Sequence, residues 1–186
     1  AIMLGLPLPY LPIHLLLINL VTDSLPAMAL AMERPEPNVM ARPPRNPKTH
    51  ILQGEYVFIV LAAAVAALAA FQVFTWGLRT GDVAFARTVN FVTSVLFELS
   101  LVFTCRSRRS LFAIGPFSNR YLLGANSIAF VVLLLVLSTP IAPYLHLVPL
   151  TASQWILPVL WSIGALVFFE GLKLVPWRKS LVSGRA

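Results

Sequence analysis

Five apolar segments of similar length constrain this chain most. They lie at about 12–32, 56–78, 88–105, 121–138 and 153–175. Each is near the ~20 residues that carry a helix across the hydrocarbon core of a bilayer. Inside that core the backbone must satisfy its own hydrogen bonds, and a helix does so within one segment. Of the 186 residues, 58% are hydrophobic and 11% charged, and the longest polar stretch is only 33–55. That is the composition of a membrane protein and leaves little for a soluble domain. The expected fold is all-α: a polytopic transmembrane helical bundle of about five spanning helices.

The net charge of +7 alone suits a nucleic-acid binder, but its distribution does not. Arg34, Arg42, Arg45 and Lys48 precede the second segment, and Arg106, Arg108, Arg109 and Arg120 follow the third. Lys173, Arg178, Lys179 and Arg185 close the chain, whereas the alternate connections hold only Arg79 and Arg87. Positive charge collects on the cytoplasmic side of membrane proteins. The first span is therefore expected to run inward and the C-terminus to be cytoplasmic. Tyr56, Tyr121 and Trp177 at inner ends, and Trp76, Tyr144 and Trp155 at outer ends, fit interfacial belts in that topology. The start lacks an initiator Met and a signal peptide, so an internal cut or a processed end is expected there.

Within the first segment, Asn19, Thr22 and Asp23 interrupt the apolar run, and Pro26 follows. An ionisable residue at such depth is costly and marks a functional site by default. At i, i+3 and i+4 the three share one face of an α-helix. Pro26 has no N–H for the carbonyl of Thr22, which predicts a kink or a locally unwound turn with a free carbonyl. Carboxylate, amide, hydroxyl and carbonyl oxygens are what hard cations take as ligands. The bland alternative is interhelical hydrogen bonding. Glu98 is the second acid, near the middle of the third segment with Ser94 one turn before it. If it faces Asp23, a bound cation displaces the protons that the two carboxyls would otherwise share, which gives a route to proton countertransport.

The remaining polar residues have plainer readings. Glu170 and Lys173 are expected to form a local ion pair. Arg106, Arg108 and Arg109 are expected to anchor a helix end and anionic lipid. Arg42, Pro43, Pro44 and Arg45 form a stiff loop that can dock a cytoplasmic domain. His14 is expected at the interface. The alanine-rich second segment lets neighbours approach closely. Cys105 is the single cysteine, which excludes an intrachain disulfide. No Gly-rich phosphate loop, Ser–His–Asp set or HExxH is present, so no catalytic or cofactor-binding residue is assigned and this region alone should not hydrolyse ATP.

The run Asn19-Leu20-Val21-Thr22-Asp23-Ser24-Leu25-Pro26-Ala27-Met28-Ala29-Leu30 resembles the sixth transmembrane helix of calcium-type (type II) cation-transporting P-type ATPases, with its pattern NLVTDGLPA-x-AL. Val39-Met40-Ala41-Arg42-Pro43-Pro44-Arg45 is similar to the family's next loop, and Leu4-Gly5-Leu6-Pro7 to its preceding one. Residues 106–112 are similar to the loop after the eighth helix in bacterial members. The resemblance implies that the five spans are helices six to ten. Helices one to five and the cytoplasmic domains, where ATP and Mg2+ act, would then be its partners, along with membrane lipid and no nucleic acid. It implies Asn19, Thr22, Asp23 and Glu98 as ligands of a transported cation, calcium by preference and manganese by similar chemistry. It also implies a bacterial plasma membrane. Ser24 departs from the pattern, which has Gly after the Asp, and it either adds an oxygen or stiffens the turn. The competing readings are a free-standing membrane scaffold or accessory subunit, and a small cation/proton secondary transporter.

Overall fold

The computed structural model describes residues 4–33, 40, 55–107 and 110–174. Among them are five helices long and apolar enough to cross a membrane, and no strand. α1 spans Pro12–Ala31, α2 Tyr56–Leu78 and α3 Val83–Cys105. α4 is a short helix, Leu111–Ile114, and α5 spans Arg120–Ser138. α6, Ile156–Leu174, is entered through a 3-10 turn, Ala152–Trp155. The readings on Arg34, Arg42, Pro43, Pro44, Arg45, Lys48, Arg108 and Arg109, and on everything after Leu174, lie outside the described residues.

α3 starts at Val83, ahead of the expected 88. Gly81 takes a left-handed φ of 80°, and the Asp82 side chain then accepts the Ala84 N–H at 2.8 Å. Asp82 is thus an N-cap that satisfies one of the free donors of the first turn. Arg87 consequently lies inside the helix rather than in the connection. In α5 the Asn119 side chain plays the same part for Leu122 N–H, at 3.0 Å.

α3 is the centre of the bundle. Its most apolar window is 61% buried, against 22–28% for the other four spans. Thr88, Asn90 and Thr93 are all buried on it, away from lipid, where polar side chains are costly. α2 has the most apolar sequence of the five and is the least buried, so most of its surface is not covered by the other described helices. α3 packs mainly against α2 and α6. Next to the turn the α2–α3 approach is tight: a Cβ on Gly77 would lie 2.6 Å from the Ala86 Cα. Ile18, Phe91, Val95 and Leu133 form the core where α1, α3 and α5 meet.

Polar ties mark the two ends of the bundle. At one end Arg87 Nε donates to Leu8 O at 2.9 Å, and Val148 N–H donates to the Thr88 hydroxyl at 2.9 Å. His14 is fully buried there, packed inside that end of the bundle. Its Nδ1 faces the Leu11 N–H at 3.3 Å, so Nε2 carries the proton and donates to Leu145 O at 2.7 Å. At the other end Arg106 grips Glu33 through two bonds of 2.9 Å. Only 2% of the Arg106 side chain is exposed, so it is committed to the end of α1 rather than to lipid. Lys173 pairs with Glu170 at 2.7 Å, as expected, and Glu170 also accepts the Leu111 N–H at 2.8 Å. The second bond ties α4 to α6.

Candidate cation site

α1 is not α-helical throughout. Asn19–Asp23 form a π turn between α-helical flanks, in which N–H groups reach carbonyls five residues back. This turn sits just before Pro26, whose missing N–H and bulky ring disturb the ordinary ladder. The disturbance expected as a kink or an unwound turn takes the form of this π turn, without a break in helical backbone. Asp23, at φ −88° and ψ −49°, and Ser24, at −66° and −51°, stay in the helical region. The lost register is absorbed by one wide turn that keeps the helix continuous. Ser24 takes part, since its hydroxyl donates to Asn19 O, five residues back, at 3.0 Å. Of its two expected roles, the observed bond is the one that stiffens the turn.

The wide turn changes which residues share a face. The buried positions of α1 are His14, Ile18, Thr22, Pro26 and Ala29, while Asn19 and Asp23 are exposed. The common face expected for Asn19, Thr22 and Asp23 is therefore split. An i→i+5 turn holds an extra residue and rotates the rest of the helix relative to an unbroken α-helix. Thr22 turns into the bundle, and the amide and carboxylate lie beside it on open surface.

Inside the bundle Thr22 meets α3. Its hydroxyl, 1% exposed as part of the residue, lies 2.5 Å from Glu98 Oε2 and 2.7 Å from Ile18 O. A hydroxyl has one hydrogen and can donate to only one of these at a time. It donates to an ionised Glu98, or it donates to Ile18 O and accepts from a protonated Glu98. Glu98 is half-buried, on the wall of a cavity of about 240 Å3 between α2 and α3. Ala62, Ala66 and Ala69 line the α2 side, and Ser94 joins Glu98 on α3. The small α2 side chains create the room.

Thr22 and Glu98 are thus brought together, and Asn19 and Asp23 adjoin them on α1. No group of three or more His, Cys, Asp and Glu able to hold a metal occurs among the described residues. The available chemistry is that of mixed oxygen donors, with two carboxylates, an amide and a hydroxyl. Calcium takes six to eight oxygens, so exposed Asn19 and Asp23 leave room for donors from outside this set.

Two neighbours escaped the reading of the sequence. The Tyr10 hydroxyl bonds to the Ser94 hydroxyl, one turn from Glu98. Asn90, one further turn back, is completely buried. The signal for Asn90 was its i, i+4, i+8 spacing with Ser94 and Glu98. Nothing local distinguishes Tyr10. Farther away, Arg106 and, secondarily, Asn119 hold the Glu33 carboxyl below its usual range, which keeps the end of α1 charged and tethered.

Residues 7–175 match the family model described as cation transporting ATPase, C-terminus. The chain belongs to the cation-transporting P-type ATPases. It corresponds to their C-terminal membrane region and is part of an integral membrane protein. It is 40% identical over 164 residues to a calcium-transporting ATPase of Bacillus subtilis, an alignment covering 86% of this chain and 18% of the relative. It is 33% identical over 193 residues to calcium-transporting ATPase 1 of Bacillus cereus, covering 94% of this chain and 22% of the relative. A probable cation-transporting ATPase F of Mycobacterium tuberculosis is 36% identical over 126 residues, covering 66% of this chain and 14% of the relative. The chain thus spans about a fifth of the length of the Bacillus relatives it matches.

Proposed function

We propose that this region supplies part of the intramembrane cation site of an ATP-driven pump, and that calcium is the cargo. The observation that carries the reading is the 2.5 Å contact with Glu98 made by Thr22, which lies within a π turn of a membrane span. Such turns concentrate at functional sites, and buried acids in spans mark ion pathways. Thr22 and Glu98 form the inner wall of the site. Asn19 and Asp23 present oxygens toward ligands contributed by the remainder of the pump. The names of the Bacillus relatives favour calcium, although manganese suits the same donors.

In this reading the missing helices complete the ligand shell, and cytoplasmic domains use ATP and Mg2+ to drive the helices between inward and outward access. The end bearing Arg106, Arg120 and Lys173 faces the cytoplasm of a bacterial cell, and the C-terminus emerges there. The test is calcium occlusion by the full-length protein. Asp23→Asn and Glu98→Gln should each weaken occlusion at least tenfold while the protein still inserts and folds. Occlusion by both variants at wild-type affinity would reduce the region to a scaffold.

A further inference from the structure

Among the buried positions of α1, only His14 can take up a proton near neutral pH. It is 0% exposed, and both ring nitrogens are engaged. Nδ1 accepts the N–H of Leu11, the N-cap of α1, at 3.3 Å, and Nε2 donates to Leu145 O at 2.7 Å. The second bond joins α1 to the connection between α5 and α6, 131 positions away in sequence. The ring also packs on Phe91 of α3, with centroids 5.6 Å apart. One imidazole thus fastens three parts of the bundle at the end opposite Arg106.

The fastening is built from both sides. In the connection, a 3-10 turn over Ala142–Leu145 ends at His146, which takes φ 53°, a left-handed conformation uncommon outside glycine. The chain there offers Leu145 O to His14 and sends Leu147 into the core with Ile18 and Phe91, where it is 1% exposed. On α1, Ile18 lies one α-helical turn from His14 on the buried face. Thr22 lies one further turn along and is bonded back to Ile18 O at 2.7 Å. Whatever holds His14 therefore holds the rotation of α1 that turns Thr22 to Glu98.

Only the neutral ring can do this. A proton on Nδ1 turns the acceptor into a donor facing the Leu11 N–H, itself a donor. It also places a cation in a dry site within reach of Arg87 on α3, and of His146 in the connection when that ring is charged. Those two are the ionisable groups whose charge reaches His14 among the described residues. Tyr10, in the segment before α1, is bonded to Ser94, and α5 bears its own ionisable residues, Arg120 and Tyr121, at the opposite end. Protonation and fastening exclude one another.

We propose that neutral His14 is a positioning residue of the cation site: it holds α1 in the rotation that brings Thr22 to Glu98, and acid releases that hold. The inference rests on the cation-site reading above and adds to it a proton-sensitive control placed away from the ligands. His14 acts through the helix and not on the cation.

The experiment measures equilibrium calcium binding to the full-length pump at about pH 7.5 and about pH 5, on either side of the ordinary histidine value of ~6.5. Below that value an unfastened His14 gains a proton, which favours the released form by up to about tenfold per pH unit. Asp23 and Glu98 also take protons in acid, but they do so in every protein compared, so the share of His14 is the difference between proteins. His14→Gln keeps one acceptor and one donor without a titrating group, and His14→Phe keeps a ring and removes both bonds. At the higher pH His14→Phe should bind calcium at least fivefold more weakly than wild type, with His14→Gln closer to wild type than to His14→Phe. Between the two pH values wild type should lose at least threefold more affinity than either variant. A smaller difference would overturn the proposal, and so would His14→Phe within fivefold of wild type, or His14→Gln no better than His14→Phe, at the higher pH. If one variant does not fold, the pH comparison decides with the other, since neither titrates. A wild-type pump that binds no calcium would overturn the cation-site reading and this inference with it; normal wild-type binding with one pH dependence in all three proteins would overturn this inference alone.

Discussion

The contact between Thr22 and Glu98 can be isolated by a double-mutant cycle. Thr22→Val preserves the shape of a side chain that is 1% exposed as a residue and removes the oxygen 2.5 Å from Glu98 Oε2. Glu98→Gln preserves the volume and removes the carboxylate. A hydrogen bond to a charged group contributes about 1.5–3 kcal/mol, and one left unmade in a half-buried place costs a similar amount. Each single variant also removes an oxygen donor of the proposed site and should lose about 1.5–3 kcal/mol of calcium binding, the scale of one charge-assisted contact, roughly 10- to 150-fold in affinity. The double variant should lose much less than the sum. The shared term, the coupling energy, should be at least about 1 kcal/mol, within the range for residues in direct contact. The assay is equilibrium calcium binding to the full-length pump, with the four proteins compared at one pH and ionic strength. Losses that simply add, with coupling below about 0.3 kcal/mol, would refute the reasoning. The two side chains would then act independently, and the π turn would not serve to bring them together.

Two further outcomes concern the scaffold. Gly77→Leu should destabilise the bundle by about 1–3 kcal/mol or separate α2 from α3, because even a Cβ there would stand 2.6 Å from the Ala86 backbone; thermal unfolding in detergent measures this. Arg106→Gln removes both 2.9 Å bonds to Glu33 and should cost about 1–3 kcal/mol at neutral pH. Since Arg106 lowers the Glu33 carboxyl in the folded protein, its contribution is full above the ordinary carboxylate range. It is lost as pH falls through the lowered folded value. The difference in unfolding temperature between wild type and Arg106→Gln should therefore shrink in acid; a constant difference from neutral to strongly acidic pH would refute the assignment.

The structure also shows why some sequence readings held and others shifted. The length and apolarity of the spans are properties of single segments, so their number was legible. The start of α3 was not, because Asp82 caps the helix through its own side chain and carries the helix over Arg87. The effect of Pro26 was legible as a disturbance of the ladder but not in its form. An opened turn and a π turn both accommodate a missing N–H, and the choice depends on how the remaining carbonyls find partners. Ser24 settles one of them with its bond to Asn19 O.

The sequence by itself determined a membrane-spanning helical bundle, the separation of basic residues between its ends, and the residues bearing oxygen at membrane depth. All three are set by transfer free energies and backbone chemistry that act within a segment. Tertiary structure alone decided that Thr22 rather than Asp23 turns toward Glu98, and that Tyr10 reaches Ser94 across 84 positions of sequence. It also made the helix carrying Thr88, Asn90 and Thr93 the centre of the bundle. The physical reason is rotation about the helix axis. One extra residue in a single turn of α1 redirects every side chain beyond it, and only packing against α3 and α5 selects the rotation that buries Thr22.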